Sequence, residues 1–115
     1  MKIQFLGTAA AEGVPAFFCN CPVCRVAFEK SGRQARSRSG ALIDGVLKLD
    51  FGPDTYHHIL THHLDTENWK SVLITHSHED HFVPSEIFYR RKGFAQVAED
   101  SEPLTVYGNQ AVVDQ

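Results

Sequence analysis

The stretch LITHSHEDHF, residues 73 to 82, sets His76, His78, Asp80 and His81 directly behind a short apolar run and uses three of the chain's seven histidines. Imidazole nitrogens and a carboxylate at this density are the ligand types of Zn²⁺, Mn²⁺ or Fe²⁺. In extended backbone, side chains two apart point the same way, so His76 and His78 can share one ion. Asp80 and His81, past the bend, can reach a second. With seven His and seven Asp in 115 residues, the four positions would match by accident in only about 0.0015 of chains this long. A second group, Cys19, Cys21 and Cys24, forms Cys-x-Cys-x2-Cys. An odd number of thiols so close together makes no disulfide framework. Three thiolates can instead wrap one tetrahedral zinc and leave its fourth position open, fixing the loop without taking part in catalysis.

Short elements must hold these groups. Residues 2 to 6 (KIQFL) alternate in polarity and read as a strand ending at Gly7, followed by a loop over 7 to 22. Residues 22 to 30 (PVCRVAFEK) open with proline and read as a helix. Two apolar runs around Asp44-Gly45 in SGALIDGVLKLDF, 39 to 51, predict a hairpin. Residues 54 to 64 predict a helix with Asp54 as N-cap. Residues 69 to 75 (WKSVLIT) predict a strand buried on both faces. A helix over 84 to 93, a strand over 104 to 107 and the start of a further element over 109 to 115 complete the reading. Strands alternating with helices predict a mixed α/β layered sheet, in which functional groups collect at strand ends.

On these residues, THSHEDH resembles the His-x-His-x-Asp-His signature of the metallo-β-lactamase superfamily of binuclear metal hydrolases. The resemblance implies that His76 and His78 bind a first metal and that Asp80 and His81 bind a second, Asp80 being the candidate catalytic side chain. LKLDFG at 47 to 52 is similar to the superfamily's strand ending in an Asp-x-Gly turn, which implies Asp50 as a carboxylate orienting a ligand from behind. The implied fold is an αββα sandwich, of which residues 1–115 form one domain corresponding to the N-terminal αβ half. The superfamily's other half supplies a further His, a bridging Asp and a last His. Glu99, Asp100, Glu102 and Asp114 are the acidic residues after the motif that could serve as ligands, and no histidine follows it. The expectation is therefore about half of a two-metal shell. GTAAAEGVPAFFCNCPVC at 7 to 24 resembles the branch of cyclic phosphodiesterases of bacterial phosphonate use, acting on phosphoribosyl 1,2-cyclic phosphate. A similar start occurs in a pyrroloquinoline-quinone biosynthesis protein with a degenerate metal motif.

The expected activity is two-metal hydrolysis of a small cyclic phosphodiester, with two catalytic Zn²⁺ (or Mn²⁺ or Fe²⁺) ions and one structural Zn²⁺ at the cysteines. The alternatives are another scissile bond (a thioester, a lactone, a tRNA 3′ end) on the same fold, or a catalytically inactive metal-binding half-domain. A net charge of -3 and a pI near 6.1 argue against bulk nucleic-acid binding. Composition that is 43% hydrophobic and 22% charged excludes disorder, and no run spans a bilayer, so a cytoplasmic protein is expected. The unmatched sheet face predicts pairing with a copy of the chain or a longer gene product. Substrate-binding residues are not assigned. Lys30, Arg33, Arg36 and Arg38 read as a solvated basic loop able to meet a phosphate. His57, His58, His62 and His63, with an i, i+4 pair at 58 and 62, read as surface or packing histidines. Arg90, Arg91 and Lys92 oppose a helix dipole.

Overall fold

The computed structural model describes residues 1–115. Its centre is one five-stranded mixed sheet of β1 (Ile3–Gly7), β2 (Gly40–Ile43), β3 (Leu47–Leu49), β4 (Ser71–Leu73) and β5 (Thr105–Tyr107), side by side in chain order. The first three strands are antiparallel, whereas β3, β4 and β5 run parallel to one another. The hairpin forms as the sequence predicts: Asp44 and Gly45 take φ of 51° and 71°, both left-handed, at the centre of a turn closed by the Val46 N–H donating to the Ile43 carbonyl at 3.0 Å, and Val46 completes a three-residue connection. The chain also forms four helices: α1 (Pro22–Lys30), α2 (Thr55–His62), α3 (Pro84–Ile87) and α4 (Gln110–Val113). Asn109 caps α4 by accepting from the Val112 N–H at 3.1 Å.

Register separates two faces. Leu6, Leu42, Lys48 and Val72 lie on the covered face, where Leu6 and Leu42 pack with Trp69 against Ile59 and Leu64. Next to this cluster, Val72, Ile74, Phe82 and Val112 form a second one, with Ile87 and Leu104 at its edge. Each methylene buried in such clusters contributes about 0.8 kcal/mol. The opposite face presents Ile3, Phe5, Leu73 and Tyr107 to the outside, Phe5 at 70% exposure.

Several expectations change. The strand at 69 to 75 shortens to β4 and is not buried on both sides, because Leu73 falls on the open face and is 39% exposed. The helix at 84 to 93 is a single turn, α3, followed by a 3₁₀ turn at Phe88–Arg90. Val83 supplies no side-chain cap, and adjacent aromatics propagate a helix poorly. Asp54 stands at the N-cap position of α2, as expected, but its side chain makes no capping bond. Its carboxylate instead accepts from the Arg38 backbone N–H at 2.7 Å and from the guanidinium Nε and Nη2 at 3.0 and 2.7 Å. That fork holds Asp54 well below the usual carboxylate range and pushes Arg38 further up, so Arg38 is a paired residue and not part of a solvated loop.

His58 is a packing histidine, 2% exposed, with Nε2 2.7 Å from Ser37 Oγ. It therefore does not pair with His62 to chelate an ion. Burial, then the neighbouring Lys48 charge, pull its pKa down to about 4. Between that value and the unfolded value of about 6.5, only the unfolded chain takes up the proton. Stability should therefore fall as pH drops from 6.5 toward 4, with a His58 contribution on the order of 2 to 3 kcal/mol. Urea midpoints at pH 7 and pH 4.5 should separate more in the wild type than in His58→Gln; equal separations would contradict this assignment.

Candidate metal centre

The site begins where β3 and β4, parallel neighbours, end at the same level. Asp50 follows β3, with its N–H donating to the Leu73 carbonyl at 2.9 Å. It adopts φ of +59° and is 4% exposed. A left-handed aspartate is uncommon enough to need over-determination by its surroundings, and Asp50 has it. Its Oδ1 accepts from the Thr75 N–H at 2.8 Å and from the Thr75 hydroxyl at 2.9 Å, and its Oδ2 accepts from His81 Nδ1 at 2.6 Å.

These bonds fix tautomers. A carboxylate only accepts, so His81 carries a proton on Nδ1 and turns Nε2 outward, toward Asp80. Thr75 has one hydroxyl proton; once that goes to Asp50, the oxygen 3.0 Å from His76 Nδ1 must accept from it. His76 then also presents Nε2. One carboxylate thus orients two histidines, the second through a threonine that sequence reasoning missed. Its only sequence signal is its place immediately before His76.

The motif loop is tied at its far end too. The Phe51 N–H donates to the His81 carbonyl at 2.8 Å, the Val83 N–H to the Phe51 carbonyl at 2.8 Å, and the His81 and Phe82 N–H groups both to the His78 carbonyl at 2.9 Å. Gly52 admits this turn: a Cβ there would overlap the Asp80 carbonyl oxygen.

The motif side chains touch in sequence, His78 to His76 to His81 to Asp80, without three of them bringing their ligand atoms within 4.8 Å of one another. The His76 ring centroid lies 4.7 Å from that of His78 and 4.1 Å from that of His81. His81 Nε2 faces Asp80 Oδ2 at 3.1 Å, close to the roughly 3.3 Å that separates two ligand atoms on a tetrahedral zinc. The tightest gathering of donors lies elsewhere, however. It is at the cysteines that three ligand atoms all fall within 4.8 Å of one another.

There, Cys21 is the N-cap of α1 and accepts from the Cys24 N–H at 3.4 Å, while Cys24 accepts from the Ala16 N–H at 3.3 Å. The Cys24 backbone donor, with the Cys19 side chain, brings Cys21 down to about 7, toward the thiolate that metals require. For Cys24 the Ala16 donor acts downward, but Cys19, burial and Cys21 together hold it above the ordinary thiol value. The donor set suits zinc.

A cleft of about 910 Å³ is lined by none of the motif residues. Thr8, Arg33, Arg36, His57 and His62 stand around it, with the Arg36 guanidinium donating to Thr8 Oγ1 at 2.9 Å. Arg38, on its wall, also feels the charge of Asp80, so the cleft and the motif are electrostatic neighbours.

No family model matches the chain. It is 32% identical over 112 residues to a ribonuclease Z of Leuconostoc mesenteroides, a match that covers 97% of this chain and 31% of the ribonuclease. It is also 26% identical over 126 residues to the coenzyme PQQ synthesis protein B of Methylobacterium radiotolerans, covering 99% of this chain and 39% of that protein. Among solved structures, Zn²⁺-bound PqqB from Methylobacterium extorquens superposes with a TM-score of 0.73 at 25% identity, over 97% of this chain and 38% of that one. These relatives are members of the metallo-β-lactamase superfamily, and the chain shares part of their fold. A diphosphatase from the PhnP family shares the metallo-β-lactamase fold, with a TM-score of 0.69 at 23% identity over 97% of this chain and 42% of that one. The chain thus spans about a third of the length of the curated relatives it matches. The superfamily is one of metal-dependent hydrolases. No helix here is long and apolar enough to cross a membrane.

Proposed function

We propose that this chain carries the metal-gripping part of a phosphodiesterase acting on a small, cyclic phosphodiester. The observation that carries the reading is the Asp50 network, which turns the Nε2 atoms of His76 and His81 outward beside His78 and Asp80. In this reading His76 and His78 hold one divalent ion, Asp80 and His81 a second, and Cys19, Cys21 and Cys24 a structural zinc. Bound there, the two catalytic ions supply Lewis acidity, which lowers the pKa of water toward neutrality and offsets charge on the phosphate oxygens. Asp50 and Thr75 keep the imidazoles in the metal-binding tautomer and prevent ring rotation. Asp80 makes contact with the cation and is the catalytic carboxylate. The adjoining cleft has the size of a small-ligand site, and Arg33 and Arg36 give it charge suited to a phosphate.

A second reading, hydrolysis at an RNA end, is favoured by the ribonuclease Z relative. Both cut phosphodiesters and differ in the size of what is attached. The natural gene product, loaded with zinc or manganese, should hydrolyse a five-membered cyclic phosphate and bis(p-nitrophenyl) phosphate faster than a thioester or a 3′-extended tRNA. A preference for the tRNA would establish the second reading, and a preference for the thioester would overturn both.

A further inference from the structure

Lys48 has no part in the motif, yet it is among the most buried side chains of the chain, at 1% exposure. It sits on the covered sheet face in register with Leu42 and Val72, a position where an apolar residue would serve the strand as well. Its ammonium forms no ion pair with any carboxylate. Nζ instead donates to the Asp50 carbonyl at 2.7 Å and to the Leu49 carbonyl at 3.0 Å. The His58 ring flanks Gly40 together with Lys48: a Cβ on Gly40 would lie 3.2 Å from Nζ and 3.4 Å from His58 Nδ1. The other titratable group acting on Lys48 is Asp50, whose charge attracts it.

We infer that Lys48 is a positioning residue: by clamping the two carbonyls beneath the left-handed turn, it holds the Asp50 carboxylate on His81 and so aims His81 Nε2 at the metal. The inference rests on the reading of His81 as a ligand. A cation kept in an apolar layer with carbonyl oxygens as its hydrogen-bond acceptors and no ion pair is expensive to bury. Burial indeed brings Lys48 down to about 8, with attraction to Asp50 opposing the shift. A residue placed there for stability alone would be apolar. A residue placed there to pin one carbonyl would look like Lys48.

The test uses Lys48→Met, which keeps the length and removes the charge, with Lys48→Gln as a second variant should the first not fold. In the metal-free protein, proton–nitrogen correlation of the histidine rings should show His81 as the Nδ1–H tautomer in the wild type and as a mixture in the variants. With Co²⁺ as probe, affinity at the histidine motif should fall at least tenfold in the variants. The cobalt–thiolate absorption of the Cys19, Cys21 and Cys24 site should stay the same, and the melting temperature should hold or rise. Unchanged His81 tautomers would overturn the inference, as would parallel weakening of both cobalt sites with a falling melting temperature. Should the wild type take cobalt only at the cysteines while the His81 tautomer still follows Lys48, the positioning role stands and the metal reading of the motif fails.

Discussion

Replacing His76 and His78 together by alanine is expected to remove one equivalent of zinc or manganese from the natural gene product and to lower phosphodiester hydrolysis by at least about a thousandfold. The expectation follows from the geometry at the end of β4. The two rings sit 4.7 Å apart, His76 is held by the Thr75 hydroxyl, and both lie on a loop whose path is fixed by Asp50 and Phe51. Alanine removes the imidazoles and with them the Thr75–His76 contact, but leaves the bonds of Asp50 and Phe51 to the loop, so the fold should survive. The Cys19, Cys21 and Cys24 zinc should remain and serves as an internal control. Metal analysis alongside a bis(p-nitrophenyl) phosphate assay decides the matter. Full turnover by a variant with unchanged metal content would end the assignment of these histidines.

The second large effect is expected at Asp50→Asn. Asparagine tolerates the same left-handed backbone, so φ of +59° is no obstacle. It also fills the same space between Thr75 and His81. What is lost is the negative charge and the acceptor-only character that dictates both tautomers. An amide can present NH₂ to His81 Nδ1, which would leave the proton on Nε2, where a metal should bind. Metal affinity at Asp80 and His81 should fall about 10- to 100-fold, measured by competition with a chelator of known affinity, while thermal stability changes little. Loss of metal only together with a large fall in melting temperature would instead make Asp50 a fold residue.

Much of this is legible in the sequence because local chemistry and global fold agree. The Asp44-Gly45 pair has one common use between two apolar runs, and it has that use here. PVCRVAFEK starts with proline behind a cysteine cap and is helical over its full length. The motif residues are readable because imidazoles and a carboxylate at that spacing are rarely incidental. The order of the elements is readable too, and with it Asp50 at a strand end. Other features are hidden because they depend on contacts between distant positions. Asp54 looks like a cap until Arg38, 16 residues earlier, is seen to take it. Thr75 looks like a strand residue until its hydroxyl is placed between Asp50 and His76. In LKL the alternation invites leucines inward and lysine outward, and β3 does the reverse: Lys48 is enclosed while Leu47 and Leu49 are half-buried. The sequence carries no mark of which face of a strand will be covered when both neighbours are short.

The parallel ladder between β3 and β4 makes the two halves of the site share one ruler, since Leu47, Lys48 and Leu49 stand opposite Ser71, Val72 and Leu73 and the chemistry begins directly beyond both ends. A single-residue insertion within β4 would turn each successive side chain to the other side of the sheet. Thr75 would leave Asp50, and the imidazoles would swing toward the interior occupied by Val72 and Phe82. Length variation among natural versions of this chain should therefore gather in the stretch between α3 and β5, where an extra residue alters no spacing that the donors depend on.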